Sequence, residues 1–402
     1  MEGFFSKKET QSTSRPDGKV YSCASCGLLH KCKSPKIKPQ GNFKKGIMNI
    51  GEFPLEKDDR KGTPWQSKSG QLLQLTYDRL GIDLFEDCIN LYAVGCYSSK
   101  KAGPSLYEIA CCRKNVLKQI EKYKPKIIVC FGKLALESLI GFRWKKKIQS
   151  INGWRGLLIP DQEYKAWVCP VFNPEDVIEE DKEVGTIWRQ DLERIVSKVG
   201  GPFLKYKEPK IEEIEDLSVL DKIQDGYIAF DYETTGIKPH AKGHRIVCVS
   251  VATSANHVYV FMMPLSKKER EPFIRLLINP NVGKIAQNMK YEHTWSMVKL
   301  KTIVVNWIWD TMLATHILDN RDGITGLKFQ TYAKFGIIDY SSEISPYFKS
   351  VEVKNGNAIN IIDKLIAKPN GKWKLLQYCG YDSIYEYRLA EMQMEIINPK
   401  PF

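Results

Sequence analysis

A chain of 402 residues, 43% of them apolar, is long enough for two ordinary cores and apolar enough to fold them. No run of about 18 uncharged apolar residues occurs, which excludes a membrane-spanning helix, and the opening Met1-Glu-Gly-Phe-Phe-Ser-Lys-Lys-Glu has no secretory pattern, so a cytosolic setting is expected. The formal net charge of +13 favours a polyanionic partner, of which DNA is the natural one. In such a setting 11 cysteines argue against a disulfide framework and for metal or cluster ligation where their spacing is close.

Residues 1–20 are polar and read as a flexible tail. A first unit spans 21–199. It opens with the loop pair Cys23-Ala-Ser-Cys26, and Cys96 and Cys112 follow, with Cys32 and Cys111 as near spares. Four thiolates suit either a structural zinc or an iron–sulfur cluster. Strand runs at Gly46-Ile-Met-Asn-Ile50 and Lys126-Ile-Ile-Val-Cys-Phe131 flank an amphipathic run from Tyr107 to Tyr123. This alternation predicts an α/β fold with a largely parallel sheet. Cys88, Cys130, Cys169, Cys248 and Cys379 stand singly and read as small buried hydrophobes. Arg143-Trp-Lys-Lys-Lys147 sets an aromatic beside cations. It reads either as a solvated helix end or as a DNA contact through Arg143, Lys145 and Lys146, whose binding would weaken steeply with salt.

A linker is expected at 200–224, and within it the acidic stretch Glu212-Glu-Ile-Glu-Asp216 is expected to open a short helix. A second unit spans 225–402, with strands at 227–233, 246–253 and 257–263 and helices at 266–278, 290–299, 310–319 and 372–395. Three acidic segments carry its chemistry. Asp231 and Glu233 end an apolar strand and, two apart, share a face. Gln287-Asn288-Met-Lys290-Tyr-Glu292 brings a third carboxylate. Tyr378 and Asp382, four apart in a helical run, share a helix face. Four converging carboxylates repel unless cations lie between them, and hard ions such as Mg²⁺ or Mn²⁺ suit oxygen ligands. Two such ions ~3.5–4 Å apart can clamp the attacking and leaving oxygens of a phosphodiester.

In order, these segments resemble the tyrosine-type 3′–5′ proofreading exonuclease domain of family A DNA polymerases, within the DEDD nucleases, over roughly 225–395. Asp310-Thr-Met-Leu-Ala-Thr-His-Ile-Leu-Asp319 and Thr325-Gly-Leu-Lys328 extend the likeness. The resemblance implies a ribonuclease H-like domain that trims DNA from 3′ ends. Asp231, Glu233, Glu292 and Asp382 would hold two Mg²⁺ or Mn²⁺, Tyr378 would orient water, and Asn288 and Lys290 would be structural or contact DNA. The sequence departs from the family in the second segment, where Glu292 replaces Asp.

Upstream, Gly51-Glu52-Phe-Pro54, Gly62-Thr-Pro64-Trp65, Ser69-Gly70-Gln-Leu-Leu73 and Lys124-Pro125-Lys-Ile-Ile-Val-Cys-Phe131-Gly132 resemble the iron–sulfur, family 4 uracil-DNA glycosylases over roughly 21–198. That likeness implies a glycosylase-like parallel sheet with flanking helices and a [4Fe–4S] cluster on Cys23, Cys26, Cys96 and Cys112, with zinc as the alternative. It also implies a DNA-facing pocket containing Glu52, Trp65 and Asn173. The pocket departs from the family at Leu55, where a Gly is usual, and at Tyr92, where a uracil-reading Asn is usual. The expectation is therefore a DNA-holding domain without uracil excision. A non-catalytic accessory subunit and an active glycosylase with an attached exonuclease are the alternatives. Fusions of this kind resemble the front part of certain bacteriophage replicative polymerases, which would place the protein in the host cytoplasm. Three readings then stand side by side: a polymerase as a separate partner chain, a fragment of a longer protein, and a protein that acts alone.

Overall fold

The computed structural model describes residues 21–100, 103–144, 146–179, 182–350 and 357–397. Two compact units divide it, Met1–Tyr206 with Tyr332–Ile338, and Lys207–Thr331 with Asp339–Phe402. Among the described residues no helix is long and apolar enough to cross a membrane.

The first unit is built on a five-stranded sheet of β1 (Ile47–Gly51), β2 (Cys88–Tyr92), β3 (Ile127–Phe131), β4 (Ile159–Asp161) and β5 (Ala166–Val171), in the order β2-β1-β3-β5-β4. All neighbours are parallel except the short β4 against β5. Every residue of these strands is buried. Helices cover both faces of such a sheet, so its strands read as continuous apolar runs rather than alternating ones. Ile47, Val129, Phe131, Cys169 and Val171 meet Leu73, Tyr77, Trp188 and Leu192 in one core. The helix expected from Tyr107 runs Leu106–Tyr123, started by a capping box in which Ser105 and Glu108 each serve the other's backbone N–H.

The second unit carries a six-stranded mixed sheet of β6 (Lys210–Glu213), β7 (Tyr227–Thr234), β8 (Ile246–Ser254), β9 (His257–Met262), β10 (Gly283–Ala286) and β11 (Trp307–Asp310), in the order β11-β10-β7-β8-β9-β6. β7, β8 and β9 form an antiparallel meander, and the outer strands pair in parallel. The three expected strands lie where the alternation put them. Glu212 and Glu213 do not open a helix. They belong to edge strand β6, paired with β9, and it is Asp216 that caps the following 3₁₀ turn Leu217–Lys222. The chain expected as linker is thus partly built into the sheet. The helix expected at 290–299 is α-helical only over Lys290–Trp295 and loosens into a π-turn at Ser296–Leu300.

Period-2 alternation decides which side of the second sheet carries chemistry. Ile228, Phe230 and Tyr232 point into the core with Val251, Phe261 and Phe273. Asp231 and Glu233 therefore face the opposite side, which the helix Gly371–Ile397 covers. That helix lies close because of Gly380, where an added Cβ would sit 3.0 Å from Val260 Cγ1 and 3.2 Å from Ile211 Cγ2.

Candidate functional site

Ligand atoms of Asp231, Glu233 and Cys379 lie within 4.8 Å of one another. Cys379 is buried, as its apolar setting suggested, but its thiol rests against Asp231, with Sγ 3.9 Å from Oδ2. Ser250 Oγ donates to the Cys379 carbonyl at 2.7 Å and ties β8 to the covering helix.

The third carboxylate arrives through a left-handed turn at Asn288, φ 65°. Asp310 holds that turn. Its carboxylate accepts from the N–H groups of Asn288 (3.1 Å) and Met289 (3.0 Å), and also from Met312 and Leu313 at the start of helix Thr311–Leu318. Tyr291 shares a hydrogen bond with Thr234 at the end of β7 (2.7 Å), which anchors helix Lys290–Trp295. Glu292 is thereby only 2% exposed, beside Asp231, with its Oε2 unpartnered.

On the covering helix, Tyr378 and Asp382 share a face. The Tyr340 hydroxyl donates to Asp382, and the Tyr340 ring stacks on Tyr378 at 5.8 Å. Lys328 Nζ sits 5.0 Å above the Tyr378 ring. The geometry brings together all five expected residues, Asp231, Glu233, Glu292, Tyr378 and Asp382. Burial raises the carboxyl pKa of Asp231, Glu233, Glu292 and Asp382, and neighbouring carboxylates add to this for the first three, while Lys328 opposes it at Asp231, Glu233 and Asp382. A mutually repelling set of oxygens, buried apart from the half-buried Asp231 and including an orphaned carboxyl oxygen, fits divalent cations.

The sequence marked Lys328 only as the end of a family-like segment, without a role, and sequence reasoning missed Tyr340 and Glu386. Glu386 lies one turn beyond Asp382, so the spacing that paired Tyr378 with Asp382 contained the signal for it. Lys328 and Tyr340 enter from separate segments with no periodic relation to the rest. Asn288 serves the turn through its backbone, and Lys290 is exposed at the start of its helix.

In the first unit the cysteines gather beneath an apolar lid. Cys96 and Cys112 pack with Leu28, Val94 and Ile109, and Cys26 and Cys32 lie alongside. Burial pushes the Cys96 thiol up to about 12 and the Cys112 thiol up to about 11. Cys112 feels Cys26 and Cys23, and Cys96 feels Cys32 and Cys112. Lys36 N–H donates to Cys96 Sγ at 3.3 Å. Thiols facing one another with backbone donors aimed at sulfur are a donor set that suits a metal cluster.

The glycosylase-like pocket is a cleft of ≈ 440 Å³ lined by Glu52, Leu55, Asp58, Trp65, Tyr92 and Asn173, among others. Glu52 accepts from Leu134 N–H (2.8 Å) and from Asn173 Nδ2 (3.4 Å), and burial pushes it up to about 7. Trp65 does not line the opening as a free stacking surface. It is buried, its ring centroid 5.4 Å from both Tyr92 and Phe131. Its carbonyl crowds Gly70, where a Cβ would meet Trp65 O at 2.1 Å. The Tyr92 hydroxyl donates to Asp58 (2.8 Å) and accepts from Trp65 N–H (3.0 Å). Asp58, 1% exposed, also accepts from the N–H groups of Leu55 and Gln66, so one carboxylate organises the floor of the cleft.

The basic run needs a correction. Arg143 is not a free DNA contact, since its guanidinium is bound by Asp161 and Glu163, each at 2.8 Å, over the Tyr164 ring at 4.4 Å. Lys146 is exposed, and Lys145 lies outside the described residues. Arg143→Ala strands Asp161 without its buried countercharge. It is expected to cost about 3–5 kcal/mol in urea unfolding while leaving the salt dependence of DNA binding unchanged.

Comparison with known proteins accords with this division. Residues 38–190 match the model of the uracil DNA glycosylase superfamily, and residues 210–392 match that of a 3′-5′ exonuclease. A type-4 uracil-DNA glycosylase of Thermotoga maritima is 31% identical over 180 residues, 44% of this chain and 90% of that protein. The DNA polymerase of Bacillus phage SP01 is 26% identical over 327 residues, 72% of this chain but 34% of the polymerase, so the chain spans about a third of that relative's length. Among solved structures, Brucella melitensis NrnC with bound Mg²⁺ aligns with TM-score 0.34 at 17% identity, covering 48% of this chain and 84% of that one. The protein joins a glycosylase-type unit to an exonuclease-type unit. It belongs to the uracil DNA glycosylase superfamily through the first and carries a 3′-5′ exonuclease domain of the family A polymerase type in the second.

Proposed function

We propose that the protein is a divalent-metal-dependent 3′–5′ DNA exonuclease, serving proofreading or end-trimming, whose glycosylase-type unit holds DNA without excising uracil. The convergence of Asp231, Glu233, Glu292 and Asp382 beside Tyr378 carries this reading. Two Mg²⁺ or Mn²⁺ held by those carboxylates would supply charge for the phosphodiester and a more acidic water. The chain's own residues do the positioning. Tyr340 fixes one oxygen of Asp382 and stacks on Tyr378, so the Tyr378 hydroxyl is presented at a set angle to orient the attacking water. Burial by the covering helix removes bulk water, which strengthens each of these interactions. DNA is favoured over RNA because the first unit belongs to the uracil DNA glycosylase superfamily.

Cys23, Cys26, Cys96 and Cys112 would hold a [4Fe–4S] cluster that ties two distant loops into one DNA-facing surface. Uracil excision is disfavoured by Tyr92, whose hydroxyl is already committed to Asp58 and Trp65. A polymerase would supply the 3′ ends, in the manner of the phage relative.

One oligonucleotide tests both halves. A strand labelled at its 3′ end and containing internal uracil is expected, with Mn²⁺, to release labelled nucleoside monophosphate and to acquire no alkali-labile sites. Absence of monophosphate would return the protein to an accessory DNA-binding role. Alkali-labile sites at uracil would make the first unit an active glycosylase.

A further inference from the structure

Glu386 is the carboxylate that the exonuclease reading leaves unused. It is 1% exposed and lies four residues after Asp382 on helix Gly371–Ile397, hence on the same face. The backbone N–H of Gln287 acts on one of its oxygens and favours the ionised form. The other, Oε2, is buried without a partner, as is Oε2 of Glu292 at 2% exposure. The charges that act on Glu386 are those of Asp231, Glu292 and Asp382. A buried carboxylate oxygen with no donor is costly, and here two of them, from different helices, adjoin the same cluster. Among the described residues no arginine, lysine or histidine is ion-paired with either one, and the nearby cation, Lys328, acts on Asp231, Glu233 and Asp382.

We propose that Glu386 is a fifth carboxylate of the cation site and completes, with Glu292, the ligation of the second divalent ion. This rests on the two-cation exonuclease reading. Charge favours it, because five carboxylates, one ammonium and two divalent ions are neutral together, whereas four carboxylates leave one positive charge over. Reach favours it too. The second segment carries Glu292, a methylene longer than the family's Asp, and Glu292 is among the carboxylates whose charge acts on Glu386.

The test is Mn²⁺ binding to the full chain, followed as loss of the free-ion paramagnetic resonance signal. The wild type is expected to bind two Mn²⁺. Glu386→Gln preserves shape and an acceptor for the Gln287 N–H. It is expected to keep the first ion and to weaken the second about 10–100-fold. Glu386→Asp, which keeps the charge but retracts it, should fall between and guards against a fold defect in the amide variant. Two ions bound as tightly in Glu386→Gln as in wild type would overturn the assignment and leave the exonuclease reading standing. A wild type that binds no Mn²⁺ would remove both.

Discussion

Asp231→Ala is expected to reduce Mn²⁺-dependent release of 3′-terminal nucleotide about 10³-fold or more. Asp231 is the carboxylate shared by the whole cluster. Glu233, Glu292 and Glu386 all feel its charge, and its own ionisation is opposed by burial and by Asp382. Cations in such a site contribute several kcal/mol to the transition state, and about 4 kcal/mol corresponds to a thousandfold in rate. The loss is expected to be chemical rather than structural. Without metal, removing one of several repelling carboxylates relieves strain, so the variant should melt no lower than the wild type when both are metal-free. A variant that keeps a tenth of the activity would refute the site. A variant that melts several degrees lower would mean that Asp231 is a scaffold residue.

Removing divalent ions should make the exonuclease-type unit less stable as pH rises, the reverse of the usual acid-denaturation trend. The carboxyl pKa values of Asp231, Glu233, Glu292 and Glu386 are raised above the ordinary range, first by burial and then by one another. A raised carboxyl binds more protons folded than unfolded. Its contribution is therefore complete below the ordinary carboxylate pKa and is lost as pH climbs through the folded value. Each kcal/mol lost in this way lowers the melting temperature by roughly 2–4 °C in a unit of this size. Between pH 5 and pH 8 in chelator, the transition that Mn²⁺ shifts should fall by that order, and saturating Mn²⁺ should restore it most at pH 8. A melting temperature that stays flat or rises with pH would show that the carboxylates do not share one buried space.

Much of the second unit could be read from residue spacing alone. Tyr227-Ile-Ala-Phe230 reads as an apolar strand run, and the two-residue period of a strand puts Asp231 and Glu233 on one face, while the helix carrying Tyr378 and Asp382 lies within two residues of its expected ends. What escaped was set by partners distant in sequence. Arg143 sits among lysines and reads as surface, but Asp161 lies 18 residues on, on a strand that turns back to it. Glu212 and Glu213 read as a helix start because nothing local announces the pairing of Lys210–Glu213 with His257–Val260. Tyr92 was legible as a departure from its family. Its consequence, a phenol locked between Asp58 and Trp65, depended on a carboxylate that sequence inspection had no reason to single out. Tyr340 reaches the site from a segment whose own pattern only reports packing, and Lys328 was legible as part of a family-like segment but not as a neighbour of Tyr378.

The close approach at Gly380 has an implication for ion choice. At Gly380 the covering helix comes close to side chains of β6 and β9, so hydrocarbon contacts at Val260 and Ile211 help to set the gap between Asp382 and Asp231. Such a gap cannot shrink around a small ion or swell around a large one without parting helix from sheet. Discrimination between Mg²⁺, Mn²⁺ and Ca²⁺, which differ chiefly in radius and coordination number, would then reside in a glycine and two aliphatic residues that never touch the metal.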